Sequence, residues 1–129
     1  MPIRTAVSSD AEAMHHLHLK SVRVLCDQYT DEQKDGWLAK RTTEGYLPGI
    51  ERGEMYVLER TGEILGFSHV VPGEVIALFV SPDVARTGVG SDLLRHAINL
   101  AQYEGDGSVF LEATLNAVGF YERFGFAVT

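Results

Sequence analysis

Arg86-Thr87-Gly88-Val89-Gly90-Ser91 is the segment best equipped for chemistry, and that chemistry is the binding of an anion. Glycines let a backbone pack closely against a ligand. The first amides of a helix lack partners in a preceding turn, point outward, and with the helix dipole make a site for phosphate oxygens. Spacing excludes two known phosphate loops. A Walker loop needs Gly-Lys-Ser/Thr, but Gly90 is followed by Ser91-Asp92, and a dinucleotide fingerprint needs a small residue where Leu93 stands. His15, His16 and His18 invite a metal reading, because His15 and His18 lie at i and i+3 on one helix. Only Glu12 joins them at zinc-ligand spacing, so a solvated helix face and no metal are expected. No nearby Lys or Arg in sequence is placed to lower the pKa of Cys26 convincingly, and it reads as a small buried side chain.

The elements that must position these residues follow from periodicity and turn signals. Ile3 to Val7 reads as a short strand, and Ser9-Asp10-Ala11-Glu12 as a capping box before a helix with Met14, Leu17, Ser21 and Val24 in one stripe. A second box, Thr30-Asp31-Glu32-Gln33, opens a helix carrying Trp37, Leu38 and Ala39. Gly45 to Gly53 reads as a loop. Met55 to Glu59 and Ile64 to Val70 alternate as strands around Arg60-Thr61-Gly62-Glu63, whose glycine suits a hairpin. Pro72-Gly73 turns the chain into Glu74 to Val80, apolar on both faces and so expected to be central and covered on each side. A helix from about Gly88 to Tyr103 puts Leu93, Leu94, Ala97, Ile98 and Ala101 inward. Val109 to Ala113 is a further buried strand, and Ala117 to Phe124 a short helix closed by Gly125. The order β-α-α-β-β-β-α-β-α, with one right-handed parallel crossover after Glu74, gives a mixed sheet with helices on both faces, α/β in the broad sense.

With 129 residues, 45% of them hydrophobic, no repeat and no linker, the chain reads as one domain, 1–129, large enough for a core without disulfides. Eleven Lys and Arg against 18 Asp and Glu give a net charge of −7, and no basic cluster suits nucleic acid. An anionic ligand must then be held by a local site. Val75 to Val80, the longest apolar run, is too short to cross a bilayer, and Met1-Pro2-Ile3-Arg4 does not lead into a signal peptide. The expected location is cytoplasmic, without a membrane partner.

Two motifs carry a family resemblance. Glu74-Val-Ile-Ala-Leu-Phe-Val-Ser-Pro82 followed by Arg86-Thr-Gly-Val-Gly-Ser-Asp-Leu-Leu94 resembles motif A of the GNAT superfamily of N-acetyltransferases: a strand ending in Val-x-Pro, a Gln/Arg-x-x-Gly-x-Gly/Ala loop, and a helix. The family's Gln/Arg position falls on Ala85, with the arginine one place later at Arg86. Asn116-Ala-Val-Gly-Phe-Tyr-Glu-Arg-Phe-Gly-Phe126 resembles the family's Phe-Tyr-Glu-x-x-Gly-Phe segment. The resemblance runs from Ile3 to Phe126 and is motif-specific from Gly62 onward. Only Ala127, Val128 and Thr129 follow, so the family's terminal strand is expected either to be cut short or to have its sheet edge covered by a partner subunit in a homodimer.

The resemblance implies that acetyl-CoA is the donor and a primary amine, on a small molecule or a peptide, the acceptor. The pyrophosphate would sit on the amides of Thr87, Gly88, Val89, Gly90 and Ser91, with Arg86 alongside. The thioester would lie beside Leu78, Phe79 and Val80, where a backbone amide is the oxyanion donor. Asn116 and Tyr121 would complete the cofactor side, with the Tyr121 hydroxyl on the sulfur as general acid. For the base, Glu74 at the head of the central strand is the first choice, with His69 and Glu112 on adjacent strands as rivals. The acidic, aromatic stretch Cys26 to Glu32 with Trp37 suits a small cationic acceptor. A non-catalytic acetyl-CoA-binding module of the same fold is the alternative. A more distant one is a glyoxalase- or bleomycin-resistance-like metalloprotein, which shares a Phe-Tyr…Gly-Phe segment but places it early in a repeated module.

Overall fold

The computed structural model describes residues 3–25, 29–38, 42–84, 87–104, 107–111 and 121–127. One sheet runs in the order β1-β2-β3-β4-β5, formed by Ile3–Thr5, Met55–Arg60, Glu63–Val71, Glu74–Val80 and Phe110–Leu111. The first four strands are antiparallel to their neighbours, and β5 is parallel to β4. The helices are α1 (Ala11–Leu25), α2 (Asp31–Leu38), α3 (Leu47–Glu51) and α4 (Val89–Glu104). α1 and α3 cover one face, where Met14, Leu17 and Ile50 meet Val57, Phe67 and Phe79. α4 covers the other, where Val89 and Leu93 meet Leu58, Leu65, Leu78 and Val80, and Ala97 and Ala101 meet Val70 and Val75. This is the mixed sheet with helices on both faces that the sequence implied.

Two bulges set which side chains share a face. β2 and β3 are joined by Thr61-Gly62, at φ of 50° and 80°, the positive pair that a tight hairpin favours. Glu59 pairs with Ile64 but Leu58 with Gly66, so Leu65 is an extra residue in β3. Val70 pairs with Val75 but His69 with Ala77, so Ile76 is an extra residue in β4. Each extra residue reverses the alternation beyond it. That is why Val75 and Leu78, an odd and an even position, both face α4, while Ile76 is 43% exposed instead of buried as a central strand would have it.

Several local expectations change. Thr30 forms its box as expected: its hydroxyl accepts from the Gln33 amide at 3.1 Å, and Gln33 Oε1 accepts from the Thr30 amide at 2.8 Å. Ser9 and Glu12 do not form theirs. Asp10 Oδ2 accepts from the Val7 amide instead, at 2.8 Å, within a 3-10 turn over Ser8–Asp10. The stripe of α1 leaves Val24 56% exposed and buries His18 and Val22. Gly45 to Gly53 is no loop but a 3-10 turn and α3, with Pro48 in the first turn, where its missing N–H is harmless. Phe110 of β5 is exposed, because no layer covers it among the described residues. The side chain of Trp37, Cys26, and the start of the last helix at 117–120 lie outside the described residues.

Asp10 is the one buried carboxylate among the described residues, and Arg4 meets it with two bonds of 2.8 and 3.0 Å. That pairing holds Asp10 below the usual carboxylate range, against the opposing effect of burial. Its folded-state pKa is lower than its unfolded one, so its stabilisation is present above about pH 4 and lost as pH falls through the folded value. Asp10→Asn should therefore cost about 1–2 kcal/mol at pH 7 and flatten the acid limb of the stability curve. Denaturant melts from pH 2 to 7 measure both, and an acid limb as steep as wild type would disprove the assignment.

Candidate active site

The chain leaves β4 through a braced turn. The Ser81 amide bonds the Leu65 carbonyl at 2.8 Å, a 3-10 turn covers Pro82–Val84, and the Thr87 amide returns to the Val84 carbonyl at 3.2 Å. Lys20 of α1 pairs with Asp83 at 2.7 Å. Gly88 then takes φ +92°, a backbone angle that L side chains avoid, and its carbonyl accepts the Asp92 amide at 3.0 Å to open α4. The Val89 side chain is wholly buried against Leu58, Leu65 and Leu93. It anchors the helix start, so only its backbone is left for a ligand, while Thr87 and Gly88 are exposed and Gly90 and Ser91 half-buried. First-turn amides held this rigidly suit an anion. Asp92 would oppose one, but Arg95 lies 3.3 Å from its carboxylate. Arg86 lies outside the described residues.

Leu78 and Val80 pack toward α4, while Phe79 packs on the opposite face, 5.5 Å from the Phe67 ring. The His18 ring lies on Phe79 with centroids 3.9 Å apart, and its Nδ1 is 2.7 Å from the Tyr46 hydroxyl. With these side chains committed to the two cores, Leu78, Phe79 and Val80 have their backbone to offer a ligand. Pairing of β4 with β5 is recorded at Glu74–Phe110 and Val75–Leu111, just before the Ile76 bulge. The histidines of α1 are thus not one solvated face. His18 is buried, and His15 is half-buried with Nδ1 3.2 Å from the Thr43 hydroxyl.

Tyr121 opens a turn closed by bonds from the Phe124 amide to the Tyr121 carbonyl (2.9 Å) and from the Gly125 amide to the Glu122 carbonyl (3.0 Å). Gly125 takes the expected positive φ, +92°. The Arg95 guanidinium lies over the Phe124 ring at 5.5 Å and ties this turn to α4. The Tyr121 ring is buried, edge-on to Phe126, and burial pushes its hydroxyl up to about 12. It is protonated at every physiological pH.

The three base candidates differ in their surroundings. Glu74 is exposed at the head of β4 and forms no ion pair among the described residues. Glu112, like Asn116, lies outside them. His69 is mostly buried, and its Nε2 is 2.9 Å from Glu54 Oε1, which also accepts from Arg52 Nε at 3.1 Å. The His69 bond, and then Arg52, hold Glu54 below the usual carboxylate range. Sequence reasoning missed Glu54 altogether.

A family profile described as an acetyltransferase (GNAT) domain matches residues 51–128. The chain belongs to the GNAT acetyltransferase family. Among curated relatives, the peptidyl-lysine N-acetyltransferase YjaB of Salmonella typhimurium is 40% identical over 67 residues, 52% of this chain and 45% of that one. The uncharacterized N-acetyltransferase YafP of Escherichia coli is 24% identical over 96% of this chain and 79% of its own length. The chain thus spans under half of the first relative and about four-fifths of the second. Among solved structures, a GCN5-related N-acetyltransferase from Rhodopseudomonas palustris superposes with a TM-score of 0.88, at 22% identity, over 99% of this chain and 82% of that one. The PaiA N-acetyltransferase of Thermoplasma acidophilum, solved with coenzyme A, gives 0.82 at 22% identity over 99% and 90%.

The GNAT assignment bears out the resemblance read from the two motifs, and it sets aside the glyoxalase-like alternative. The profile covers the whole span from β2 through Tyr121, which takes in the bulged strands, the Gly88 turn and the C-terminal turn. Among the described residues, no three His, Cys, Asp or Glu side chains cluster closely enough to hold a metal, and no helix is long and apolar enough to cross a membrane.

Proposed function

We propose that this chain, folded as one domain, transfers the acetyl group of acetyl-CoA to a primary amine by direct attack on the thioester. The carrying observation is the β4–Gly88–α4 unit, whose positive-φ glycine and buried Val89 hold the first-turn amides outward in a family that works on this donor. The pyrophosphate lies on the backbone of Thr87 to Ser91, and the arm runs back along Val80, Phe79 and Leu78 toward the Ile76 bulge. Four residues of strand span about 13 Å, the scale of such an arm. There the amine attacks the carbonyl, a backbone amide of β4 receives the oxyanion, and the sulfur leaves beside Tyr121. The likeness to a peptidyl-lysine enzyme makes a lysine side chain the first acceptor to try.

Calorimetry with acetyl-CoA, then thiol release over a panel of amines and lysine peptides, tests this reading. Saturable binding with release on at least one amine is expected. Binding without release on any amine would favour the non-catalytic module, and absence of binding would overturn both. Gly88→Pro locks φ near about −65° where the chain needs a positive angle, and it removes one amide. Losing one charge-assisted bond and displacing its neighbours should weaken acetyl-CoA binding by about 10- to 100-fold in a protein that still melts cooperatively. Unchanged affinity in that folded variant would contradict the placement of the pyrophosphate.

A further inference from the structure

The two bulges bring together residues that neither strand pattern would pair. Leu65 shifts the β2–β3 register so that His69 lies opposite Met55, and Ile76 shifts the β3–β4 register so that His69 lies opposite Ala77. Directly paired residues of antiparallel strands project to the same face. On that face a single methyl group, Ala77, stands between His69 and the far edge of β4, where the bulge interrupts the strand. Without the bulge, Ile76 would fill that position. α3 closes in from the other side: a Cβ on Gly49 would come 3.0 Å from Met55 and 3.3 Å from His69 Cε1, so glycine is what lets the helix lie against the ring. Glu54, in the turn between α3 and β2, then accepts a hydrogen bond from Nε2–H at 2.9 Å. That bond requires hydrogen on Nε2 and leaves Nδ1 as the nitrogen with a free lone pair. Among the described residues Nδ1 has no hydrogen-bond partner.

We propose that His69 is the general base of acetyl transfer, acting through Nδ1 on the acceptor nitrogen, and that Glu54 is the positioning residue that fixes its tautomer. This rests on the reading of the chain as an acetyl-CoA-dependent N-acetyltransferase. One proton passes from the acceptor ammonium to Nδ1 and on to solvent. The neutral amine then attacks, and the N–C bond forms as the C–S bond breaks. The nitrogen loses its second proton to solvent, and the sulfur leaves as a thiolate that accepts a hydrogen bond from Tyr121 and takes its proton from solvent. A carboxylate holding one ring nitrogen while the other works is the usual arrangement for a base of this kind. Among the described residues, the charged groups bonded to His69 are Glu54 and, behind it, Arg52. β2, β4 and α3 present Met55, Ala77 and Gly49, none of which titrates.

The test has an arm that does not depend on turnover. Nitrogen NMR of the imidazoles in the free protein should show neutral His69 as the Nε2–H tautomer, and Glu54→Ala should abolish that preference. An Nδ1–H tautomer in wild type would overturn the proposal. In the kinetic arm, His69→Gln should bind acetyl-CoA as wild type does but lose about 10²-fold in kcat/KM at pH 7, with the gap closing toward high pH as the amine deprotonates unaided. Glu54→Gln, which keeps an acceptor without the charge, should fall between wild type and Glu54→Ala in kcat, with KM for acetyl-CoA unchanged. Should His69→Gln unfold, His69→Ala rescued in part by added imidazole answers the same question. A folded His69→Gln with the wild-type pH profile overturns the base assignment and leaves the acetyltransferase reading intact. Failure of wild type itself to bind acetyl-CoA overturns both.

Discussion

Tyr121→Phe is expected to lower turnover about 10²-fold while the protein stays folded. The substitution keeps the ring against Phe126 and removes only the hydroxyl. A buried hydroxyl whose role is structural costs about 1 kcal/mol when deleted and leaves turnover nearly intact. The two roles therefore predict opposite patterns in two measurements, kcat with the best acceptor and melting temperature. The position of its pKa, pushed up to about 12 by burial, sharpens the expectation. A thiol titrates at about 8.5, so full proton transfer from such a phenol to a thiolate runs uphill. Its contribution is then mainly a hydrogen bond to the developing charge, which places the loss near the low end of the range for acid catalysis. The same value fixes the pH dependence. Wild-type activity should show no alkaline decline due to Tyr121 up to pH 10. Its contribution to stability, present below the unfolded value of about 10, is lost between there and about 12. Wild-type turnover in Tyr121→Phe would leave water as the proton donor.

Motifs were legible where local chemistry dictates local geometry. Gly88 and Gly125 stand where the chain needs positive φ, and Thr30 with Gln33 forms its reciprocal cap. The apolar inner face of α4 was equally plain, because Leu93, Leu94, Ala97 and Ala101 recur at helical spacing. These features do not depend on what lies across the fold.

The His69–Glu54 pair depends on a distant partner of that kind: His69 could be named from sequence as a rival base, but its link to Glu54 was hidden. A two-residue turn at Thr61-Gly62 in regular register pairs Met55 with Ser68, and the extra residue at Leu65 moves the partner to His69. A one-residue slip changes the face of every following side chain, and nothing in the alternation of Glu63 to Val71 announces it. Glu54 was missed for the same reason, since its link to His69 exists only in the shifted register. In α1 the error ran the other way. His18 occupies the stripe that Val24 was expected to extend, because Tyr46 supplies a hydrogen-bond partner and Phe79 a ring to stack on. A histidine so placed is cheap to bury, and polarity alone misplaces it.

Phe67 is where that aromatic cluster should prove most sensitive. Its side chain is 1% exposed and meets Tyr46, Phe79 and His18 at centroid distances of 5.8, 5.5 and 6.1 Å. Phe67→Ala removes the ring on which all three lean, and burial of this kind is worth about 3–5 kcal/mol. A domain of this size has about 5–15 kcal/mol in total, so the variant should lose a large share of its stability. With an unfolding entropy of about 2.1 cal/mol/K per residue, the melting temperature should fall by about 10–20 °C. Val24→Ala, on the exposed side of α1, should stay within about 0.5 kcal/mol of wild type. The two substitutions separate the stripe read from sequence from the one the fold uses. On the proposed placement of acetyl-CoA the consequence reaches the donor as well, because Phe79 loses its backing on β3 where β4 would run beside the thioester. Below its melting transition, Phe67→Ala should therefore raise KM for acetyl-CoA, whereas Leu94→Ala, in the α4 core, should destabilise without that change. Equal effects on KM from both would show that Phe79 takes no part in holding the donor.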